Sequence, residues 1–205
     1  MKKSMCITYP VEQGLYVNIT NRCSNRCEFC IRNNGDGAYG SDSLWLEREP
    51  SAEEIISAIK KAEPERYTEL VFCGYGEPSY RLDVAREVAL EVKRLYPSLP
   101  IRMNTNGHSD LIWGRDTTPD YEGAFDAVSI SLNTPSSDAY DALCHPIFAH
   151  SHDALISFAS RVKKYVPRVT LSVVRQTLTE QQLEECYRIA DSVGVTLRVR
   201  DYISE

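Results

Sequence analysis

The sequence has no long hydrophobic run, because no stretch approaches the roughly 20 apolar residues that a membrane span requires. Lys2 and Lys3 near its start are not followed by an apolar stretch, so no secretory signal is recognised. No basic block is longer than two residues, and 29 acidic residues outnumber 23 basic ones. We therefore expect a cytoplasmic protein without a membrane partner, and the missing basic patch counts against a nucleic-acid partner.

The sequence also lacks linkers, repeats and low-complexity stretches. Its 205 residues are enough to bury a core of ordinary size, so we expect one domain over residues 1–205. A disulfide framework is not expected either. The seven cysteines are odd in number, and a chain without an export signal keeps its thiols reduced. Metal binding or chemistry explains the cysteines better than disulfides do.

Apolar runs of strand length alternate with helical patterns along the whole chain. The predicted strands are residues 15–20, 68–73, 101–104, 127–132, 169–174 and 196–200. Such an alternation implies parallel strands joined by helical crossovers, and hence an α/β fold. A complete eightfold βα barrel takes about 250 residues, so six units predict a partial (β/α)6 TIM-like barrel.

Three helix starts carry capping signals. Residues 51–54 and residues 179–182 each form a capping box ahead of apolar residues at helical spacing. Valines at helical spacing predict a further helix over residues 84–95. Thr134 followed by Pro135 predicts an N-cap with proline at the first helical position.

Polar residues gather where the predicted strands end. In parallel α/β folds the carboxyl ends of the strands face a common site. The segments that follow the predicted strands are residues 21–30, 74–78 and 105–107, and then Asn133, Arg175 and Asp201. Period-two alternation also puts Ser129, Ser131 and Asn133 on one face of a strand, although both faces of a parallel sheet are normally apolar. This pattern predicts a ligand site, and a water-filled interior or simple capping of the strand ends is the alternative.

Three cysteines lie within eight residues directly after the first predicted strand: Cys23, Cys27 and Cys30. Three thiolates on one short loop can hold a single iron-sulfur cube and leave its fourth iron without a protein ligand. An open coordination position makes a metal site reactive. One alternative is a helix with the cysteines on its buried face. The other is a zinc ion, which needs a fourth ligand, and the nearest later cysteine is Cys73. Polar residues between the cysteines favour the cluster.

The C-x3-C-x2-C pattern, with Phe29 before the last cysteine, resembles the signature of the radical S-adenosylmethionine (SAM) enzymes. Further segments resemble landmarks of that family in the same order. Residues 73–78 are similar to its GGEP stretch, although Tyr75 stands where the first glycine usually lies. The Thr-Asn-Gly triplet at 105–107 and the strand segment 129–133 follow. The resemblance covers nearly the whole chain and implies a partial six-unit βα barrel that binds a 4Fe-4S cluster and SAM.

The resemblance also implies which residues hold the two cofactors. The implied cluster ligands are Cys23, Cys27 and Cys30, and the implied SAM contacts are Phe29, Gly76, Glu77, Asn106, Ser131, Asn133 and Arg175. Glu77 would grip the amino group of SAM, and Arg175 would pair with its carboxylate. In this family the reduced cluster cleaves SAM, and a 5′-deoxyadenosyl radical abstracts hydrogen from a substrate, which is unidentified here. The electron comes from an external reductant of the flavodoxin or ferredoxin type.

Within the family, the chain most resembles the small radical SAM proteins associated with TatD-type hydrolases. The resemblance rests on the short length, on Tyr9-Pro10 ahead of Gly14-Leu15-Tyr16, and on the run at 18–23. It implies a TatD-type hydrolase as a partner. Two other enzymes of the family are alternatives, one like a 7-deazaguanine synthase with a purine-like substrate and one like a glycyl-radical activase with a protein partner. Outside the family, an iron-sulfur electron carrier or a zinc-stabilised binding module is the alternative.

Two further features invite a functional interpretation. The G-x-G-x-x-G pattern at residues 35–40 does not lie between a strand and a helix, so we interpret residues 33–50 as a flexible loop that Trp45 anchors. An ordinary connecting loop is favoured over one that covers the site. Three histidines near Cys144 are assigned to a surface or helix junction rather than to a metal site: His145, His150 and His152. Of the isolated cysteines, Cys6 and Cys186 are assigned to packing, and Cys73 to packing or to the substrate side.

Overall fold

The computed structural model describes residues 2–202, and its centre is a seven-stranded sheet whose strands lie side by side in chain order. The strands are β1 (Thr8–Val11), β2 (Gly14–Val17), β3 (Glu69–Phe72), β4 (Ile101–Thr105), β5 (Ala127–Ser131), β6 (Arg168–Val174) and β7 (Thr196–Arg200). Strands β2 to β7 are parallel. β1 and β7 have one neighbour each, so the sheet is open, as expected for a partial barrel.

The six predicted strands are confirmed as β2 to β7, but the fully parallel sheet is corrected to a mixed one. β1 pairs antiparallel with β2 through a tight turn at Glu12 and Gln13, where Glu12 takes a left-handed φ of 51°. β1 was missed because it is short and contains Pro10. Proline lacks the N–H that a central strand needs, but it is tolerated in an edge strand such as β1.

Helices connect the parallel strands on one side of the sheet. They are α1 (Ala52–Lys61), α2 (Leu82–Leu95), α3 (Ser109–Trp113), α4 (Ser137–Cys144), α5 (Ser151–Val162) and α6 (Glu180–Val193). Both capping boxes are confirmed, at the starts of α1 and α6, and the valine-rich helix is α2. Between residues 2 and 202, no helix combines the length and the apolar character needed to cross a bilayer.

The N-cap predicted at Thr134 is wrong. α4 begins at Ser137, and its N-cap is Ser136, whose Oγ accepts a hydrogen bond from the Ala139 N–H. The chain leaves β5 through Asn133, which adopts a left-handed φ of 61°. That turn postpones the helix, so Pro135 lies in the connection ahead of it.

The two faces of the sheet differ in chemistry. On the face covered by the helices, which we call the apolar face, residues such as Phe72, Met103 and Leu171 are buried in one continuous core with residues of α1, α2 and α5. The opposite face, which we call the polar face, carries the other half of each strand. Register places these residues on it: Glu69, Arg102, Asn104, Ser129, Ser131, Thr170, Ser172, Arg198 and Arg200. The polar alternation that the sequence indicates therefore extends across the sheet.

The capping box of α1 allows a simple test of local stability. Replacing Ser51 by alanine removes the side-chain acceptor of the Glu54 N–H, so we expect Ser51→Ala to lower the free energy of unfolding by about 1 kcal/mol. Ser57→Ala, at an exposed position of the same helix, should change it by less than about 0.5 kcal/mol. Urea denaturation of both variants measures the difference, and equal losses would contradict the assigned cap.

Candidate active site

The cysteine loop, which we define as residues 18–30, leaves the carboxyl end of β2. It contains no helix, and the first helical turn after it is a 3-10 turn at Ile31–Asn33. Cys23, Cys27 and Cys30 are all half-buried. The alternative of a helix with a buried cysteine face is therefore wrong, because the chain around the three thiols is not helical.

The C-terminal end of α4 holds this loop in place. The Arg26 N–H donates to the Cys144 carbonyl oxygen at 2.9 Å, and the Glu28 N–H donates to the Leu143 carbonyl oxygen at 3.1 Å. The last carbonyl groups of a helix have no partner within the helix. Here they bind the backbone between the three cysteines, so α4 and the cysteine loop satisfy each other's free groups.

A buried polar network fixes the loop from the other side. Ser24 Oγ lies 3.0 Å from His108 Nδ1 and accepts a hydrogen bond from Asn106 Nδ2 at 2.7 Å. Tyr140 OH lies 3.2 Å from His108 Nε2 and accepts from Asn25 Nδ2 at 2.9 Å. All five side chains are buried. Burial lowers the pKa of His108 to about 4, so its imidazole is neutral at pH 7 and can donate from one nitrogen while accepting at the other.

Glu77 extends the network to the loop after β3. Its Oε1 accepts from Thr105 Oγ1 at 2.7 Å and from the Ser79 N–H at 3.0 Å, and its Oε2 accepts from the Asn106 N–H at 2.7 Å. Burial raises the pKa of Glu77, and these hydrogen bonds oppose the rise. The carboxyl group thus ties the end of β3 to the end of β4. Its expected contact with an amino group stays a prediction.

The two glycines after β3 allow close packing within the protein. A Cβ at Gly76 would lie 2.2 Å from the Thr20 carbonyl oxygen and 2.7 Å from that of Arg22. A Cβ at Gly74 would lie 2.1 Å from Asn18 Oδ1. Both glycines therefore allow a close approach of the chain to the cysteine loop, and neither has a positive φ.

The three thiols sit where burial favours their protonated form. Burial raises the pKa of Cys23 to about 12 and also raises that of Cys30. The pKa of Cys27 is raised first by a hydrogen bond with Cys144 and then by burial. Metal ligation requires thiolates, so iron binding here must release these protons.

No group of three or more His, Cys, Asp or Glu side chains within residues 2–202 is arranged around a single metal ion. A cube differs from a single ion, because each thiolate binds a different iron atom and the sulfur atoms need not meet at one point. The described residues do not provide the four converging ligands that a structural zinc ion requires.

The other predicted cofactor contacts fall into two groups. The Ser131 side chain, on the polar face, makes no hydrogen bond within the described chain, and Asn133 donates through Nδ2 to Cys144 Sγ while its buried Oδ1 has no partner there. Asn106 is fully engaged in the network, and Arg175 pairs with Glu180 and donates to the Leu178 carbonyl oxygen. The Ser131 hydroxyl and Asn133 Oδ1 thus have no partner among the described residues, whereas the side chains of Asn106 and Arg175 are engaged by the protein.

The loop at residues 33–50 is packed, which corrects the expectation of a flexible loop. Tyr75 OH lies within hydrogen-bond distance of the carbonyl oxygens of Gly35 and Gly37, at 3.0 and 2.9 Å. Trp45 contacts the Tyr75 ring edge-on with a centroid distance of 5.2 Å, so its role as an anchor is confirmed. The G-x-G-x-x-G pattern is part of this loop and does not begin a helix, as predicted.

The isolated histidines and cysteines occupy separate places. His145 is half-buried beside Glu28, His150 is exposed, and His152 is buried against the Thr134 carbonyl oxygen. His150 and His152 thus lie at the start of α5, and His145 follows the end of α4. Cys186 is buried in the core, and Cys6 packs against a small cluster beneath the loop at 33–50. Cys73 is half-buried, and strand alternation places it on the polar face.

Sequence reasoning missed the side chains that support the cysteine loop. These are Ser24, Asn25, His108, Tyr140 and Cys144. The polar residues between the cysteines and the histidine directly after the Thr-Asn-Gly triplet were the available signals. Neither signal shows that these polar residues and this histidine are hydrogen-bonded to each other.

A surface cavity of about 640 Å³ lies at the opposite end of β6 and β7, lined in part by Lys163, Arg168, Asp191 and Gly194. These residues surround the amino ends of both strands. The cavity is therefore separate from the candidate site.

Comparison with known proteins gives a match to a family model. The sequence model of the Radical SAM superfamily matches residues 17–190. GTP 3′,8-cyclase of Lactiplantibacillus plantarum is 26% identical over 158 residues, which cover 77% of this chain and 44% of that protein. GTP 3′,8-cyclase of Rhodococcus opacus is 28% identical over 193 residues, which cover 92% of this chain and 50% of that protein. The chain thus spans about half the length of these relatives.

Solved structures share the fold. Streptococcus suis SuiB bound to its precursor peptide SuiA has a TM-score of 0.66 and 16% identity, covering 93% of this chain and 39% of that one. A radical SAM methyltransferase from Sphaerobacter thermophilus has a TM-score of 0.62 and 19% identity, covering 94% and 57%. The partial barrel predicted from the sequence is confirmed by this likeness.

The neutral state of His108 predicts how stability depends on pH. Its folded pKa of about 4 lies below the unfolded value of 6.5, so the unfolded chain takes up the proton first. The contribution of His108 to the free energy of unfolding is therefore fully present above pH 6.5. It decreases by about 3 kcal/mol as the pH falls toward 4. His108→Gln should lack this pH-dependent contribution, so the difference in free energy of unfolding between the variant and the wild type should become smaller as the pH falls.

Urea denaturation of the metal-free protein at pH 7 and pH 4.5 measures this dependence. His150→Gln, which alters an exposed histidine, serves as the control and should follow the wild type. A His108→Gln variant with the same acid sensitivity as the wild type would show that His108 is not held neutral.

Proposed function

Because the chain belongs to the radical SAM superfamily, we propose that it reductively cleaves SAM and uses the product to abstract hydrogen from a substrate. The observation that carries the proposal is the cysteine loop, whose three half-buried thiols are held at the carboxyl end of the sheet by α4 and by the His108 network. The site belongs to a radical SAM core that we assign to residues 1–205.

Cys23, Cys27 and Cys30 would hold three iron atoms of a 4Fe-4S cluster. The donor set fits this group, because three thiols on one non-helical loop leave a fourth iron without a protein ligand. When bound, the cluster supplies the electron that splits the sulfonium of SAM into methionine and a 5′-deoxyadenosyl radical.

The chain's own residues would position SAM beside that iron. We assign Ser131 and the unpartnered Oδ1 of Asn133 to the ribose and carboxylate, since Ser131 ends β5 and Asn133 contacts Cys144, whose carbonyl oxygen binds the cysteine loop. The remaining assigned contacts are Phe29, Gly76, Glu77, Asn106 and Arg175. The hydrogen bonds that Glu77 makes to Thr105 and Asn106 would also hold the ends of β3 and β4 together.

The packed loop at residues 33–50 would help to enclose the reacting groups. It lies against Tyr9 and Tyr75 and so covers the β1–β3 side of the site. Enclosure matters because a carbon radical attacks whatever it meets, and fixed geometry directs it to one hydrogen atom.

We further propose the partners and setting of this reaction. An external flavodoxin- or ferredoxin-type protein would supply the electron in the cytoplasm. On the strength of Tyr9-Pro10, Gly14-Leu15-Tyr16 and the run at 18–23, we place the chain with the small TatD-associated radical SAM proteins, with a TatD-type hydrolase as a partner. A purine-like substrate is the second candidate, and two relatives that are GTP 3′,8-cyclases favour it.

Anaerobic reconstitution with iron and sulfide, followed by SAM and dithionite, tests the activity. We expect brown protein with about four iron atoms per chain, and 5′-deoxyadenosine detected by mass spectrometry. Cys27→Ala should lose both the cluster and cleavage, because one of three iron ligands is gone. Cys186→Ala, which removes a thiol buried in the core, should keep both.

Two results would contradict the proposal. A fully loaded cluster that neither binds nor cleaves SAM would favour an electron carrier, and a protein that takes up zinc in place of iron would favour a binding module. Loss of the cluster in Cys186→Ala would contradict the assignment of the three loop cysteines as its ligands.

A further inference from the structure

Arg200 ends the last strand of the sheet on the same side as the cysteine loop. It pairs in register with Val174, one alternation beyond the pair Ser172 and Arg198, so its side chain belongs to the polar face. Its guanidinium lies over the ring of Phe29, with 5.9 Å between Cζ and the ring centroid. Phe29 directly precedes Cys30, so the guanidinium lies beside the proposed cluster ligands.

This guanidinium is half-buried and has no anionic partner. Within residues 2–202 it makes no ion pair and no side-chain hydrogen bond, and it lies against the Phe29 ring. Arg102, on the same face, is bound by both carboxylate oxygens of Glu69, at 2.6 and 3.0 Å, and also donates to Asn104. Buried charges in proteins are normally paired, because an unpaired one has lost water without gaining a counter-charge.

The ionisable side chains that act most strongly on the Arg200 charge include no carboxylate. Those side chains are Cys27, Cys73, Tyr39 and Arg198, and burial lowers the pKa of Arg200. Tyr39 belongs to the loop at 33–50 and Cys73 to the end of β3. Arg200 therefore faces the space enclosed by that loop, the cysteine loop and the end of β3.

The polar face has an excess of positive charge, although the whole chain has a negative net charge. The protein carries a net charge of −6, yet the polar-face positions of β3 to β7 hold four arginines and one glutamate, which Arg102 already neutralises. The four are Arg102, Arg168, Arg198 and Arg200. An excess of positive charge on one face attracts anions to it.

We propose that Arg200 binds the carboxylate or phosphate group of a ligand held between the cysteine loop and the polar face. A guanidinium presents paired donors that match either anion. The proposal rests on the proposed function, because it names the chemical class of that site's ligand. The anion has two possible sources, the substrate and the carboxylate of SAM.

Binding of inorganic pyrophosphate to the reconstituted protein tests the site by anaerobic calorimetry at fixed ionic strength. We expect saturable binding to the wild type and a Kd raised at least about tenfold in Arg200→Gln, the loss expected for a hydrogen bond to a charged group. Arg200→Lys keeps the charge without the paired donors, so its Kd should lie between the two. Arg188→Gln makes the same charge change on the far surface of α6 and should behave as the wild type.

Titrations with SAM distinguish the two sources. If pyrophosphate still binds when SAM is saturating, and the SAM affinity of Arg200→Gln is unchanged, the anion belongs to the substrate. If SAM displaces pyrophosphate and binds Arg200→Gln at least about tenfold more weakly, the anion is the carboxylate of SAM.

The proposal is overturned if the wild type shows no saturable pyrophosphate binding, or if Arg200→Gln and Arg188→Gln have the same Kd. These titrations require no turnover. A protein that binds pyrophosphate through Arg200 but fails to cleave SAM would therefore defeat the proposed function and leave the anion site standing.

Discussion

The conformation of the cysteine loop depends on hydrogen bonds that it receives from distant parts of the chain. Residues 18–30, which follow β2, belong to no helix and to no strand, so their backbone groups need hydrogen-bond partners elsewhere in the chain. The last carbonyl groups of α4 accept from Arg26 and Glu28, and the Ser24 carbonyl oxygen accepts from Ile147. Three thiols can present a fixed arrangement to a cluster only because this backbone is held.

The same region is polar inside a fold that is otherwise organised by apolar packing. A buried polar group destabilises the folded state unless it is hydrogen-bonded, and the network around His108 meets that condition with few exceptions. Among the described residues, two of the exceptions are the side-chain oxygens of Asn25, in the cysteine loop, and of Asn133, just after β5. Unsatisfied groups are thus found next to the proposed cofactor positions.

Tyr75 shows how this chain departs from the pattern it resembles. The tyrosine stands where a glycine usually lies, yet its ring is buried against Trp45 and its hydroxyl reaches the loop at 33–50. Gly76 keeps the close contact with the backbone of the cysteine loop that a side chain would prevent. The tyrosine therefore holds the neighbouring loop through its ring and its hydroxyl.

The sequence by itself determined the α/β class, the six parallel strands, two capping boxes, the family resemblance and the crowding of three cysteines after β2. These features follow from local periodicity and spacing, which a linear chain displays directly. Only the tertiary structure decided the partners of Ser24, Asn106 and Tyr140, the packing of the loop at 33–50, and the unpaired state of Arg200. The hydrogen bonds of Ser24 with Asn106 and His108, and that of Asn25 with Tyr140, join residues 82 to 115 positions apart, and no local pattern records such a pairing. Only folding brings the carboxyl ends of the strands together, so the residues of the site come from loops that are far apart in the sequence.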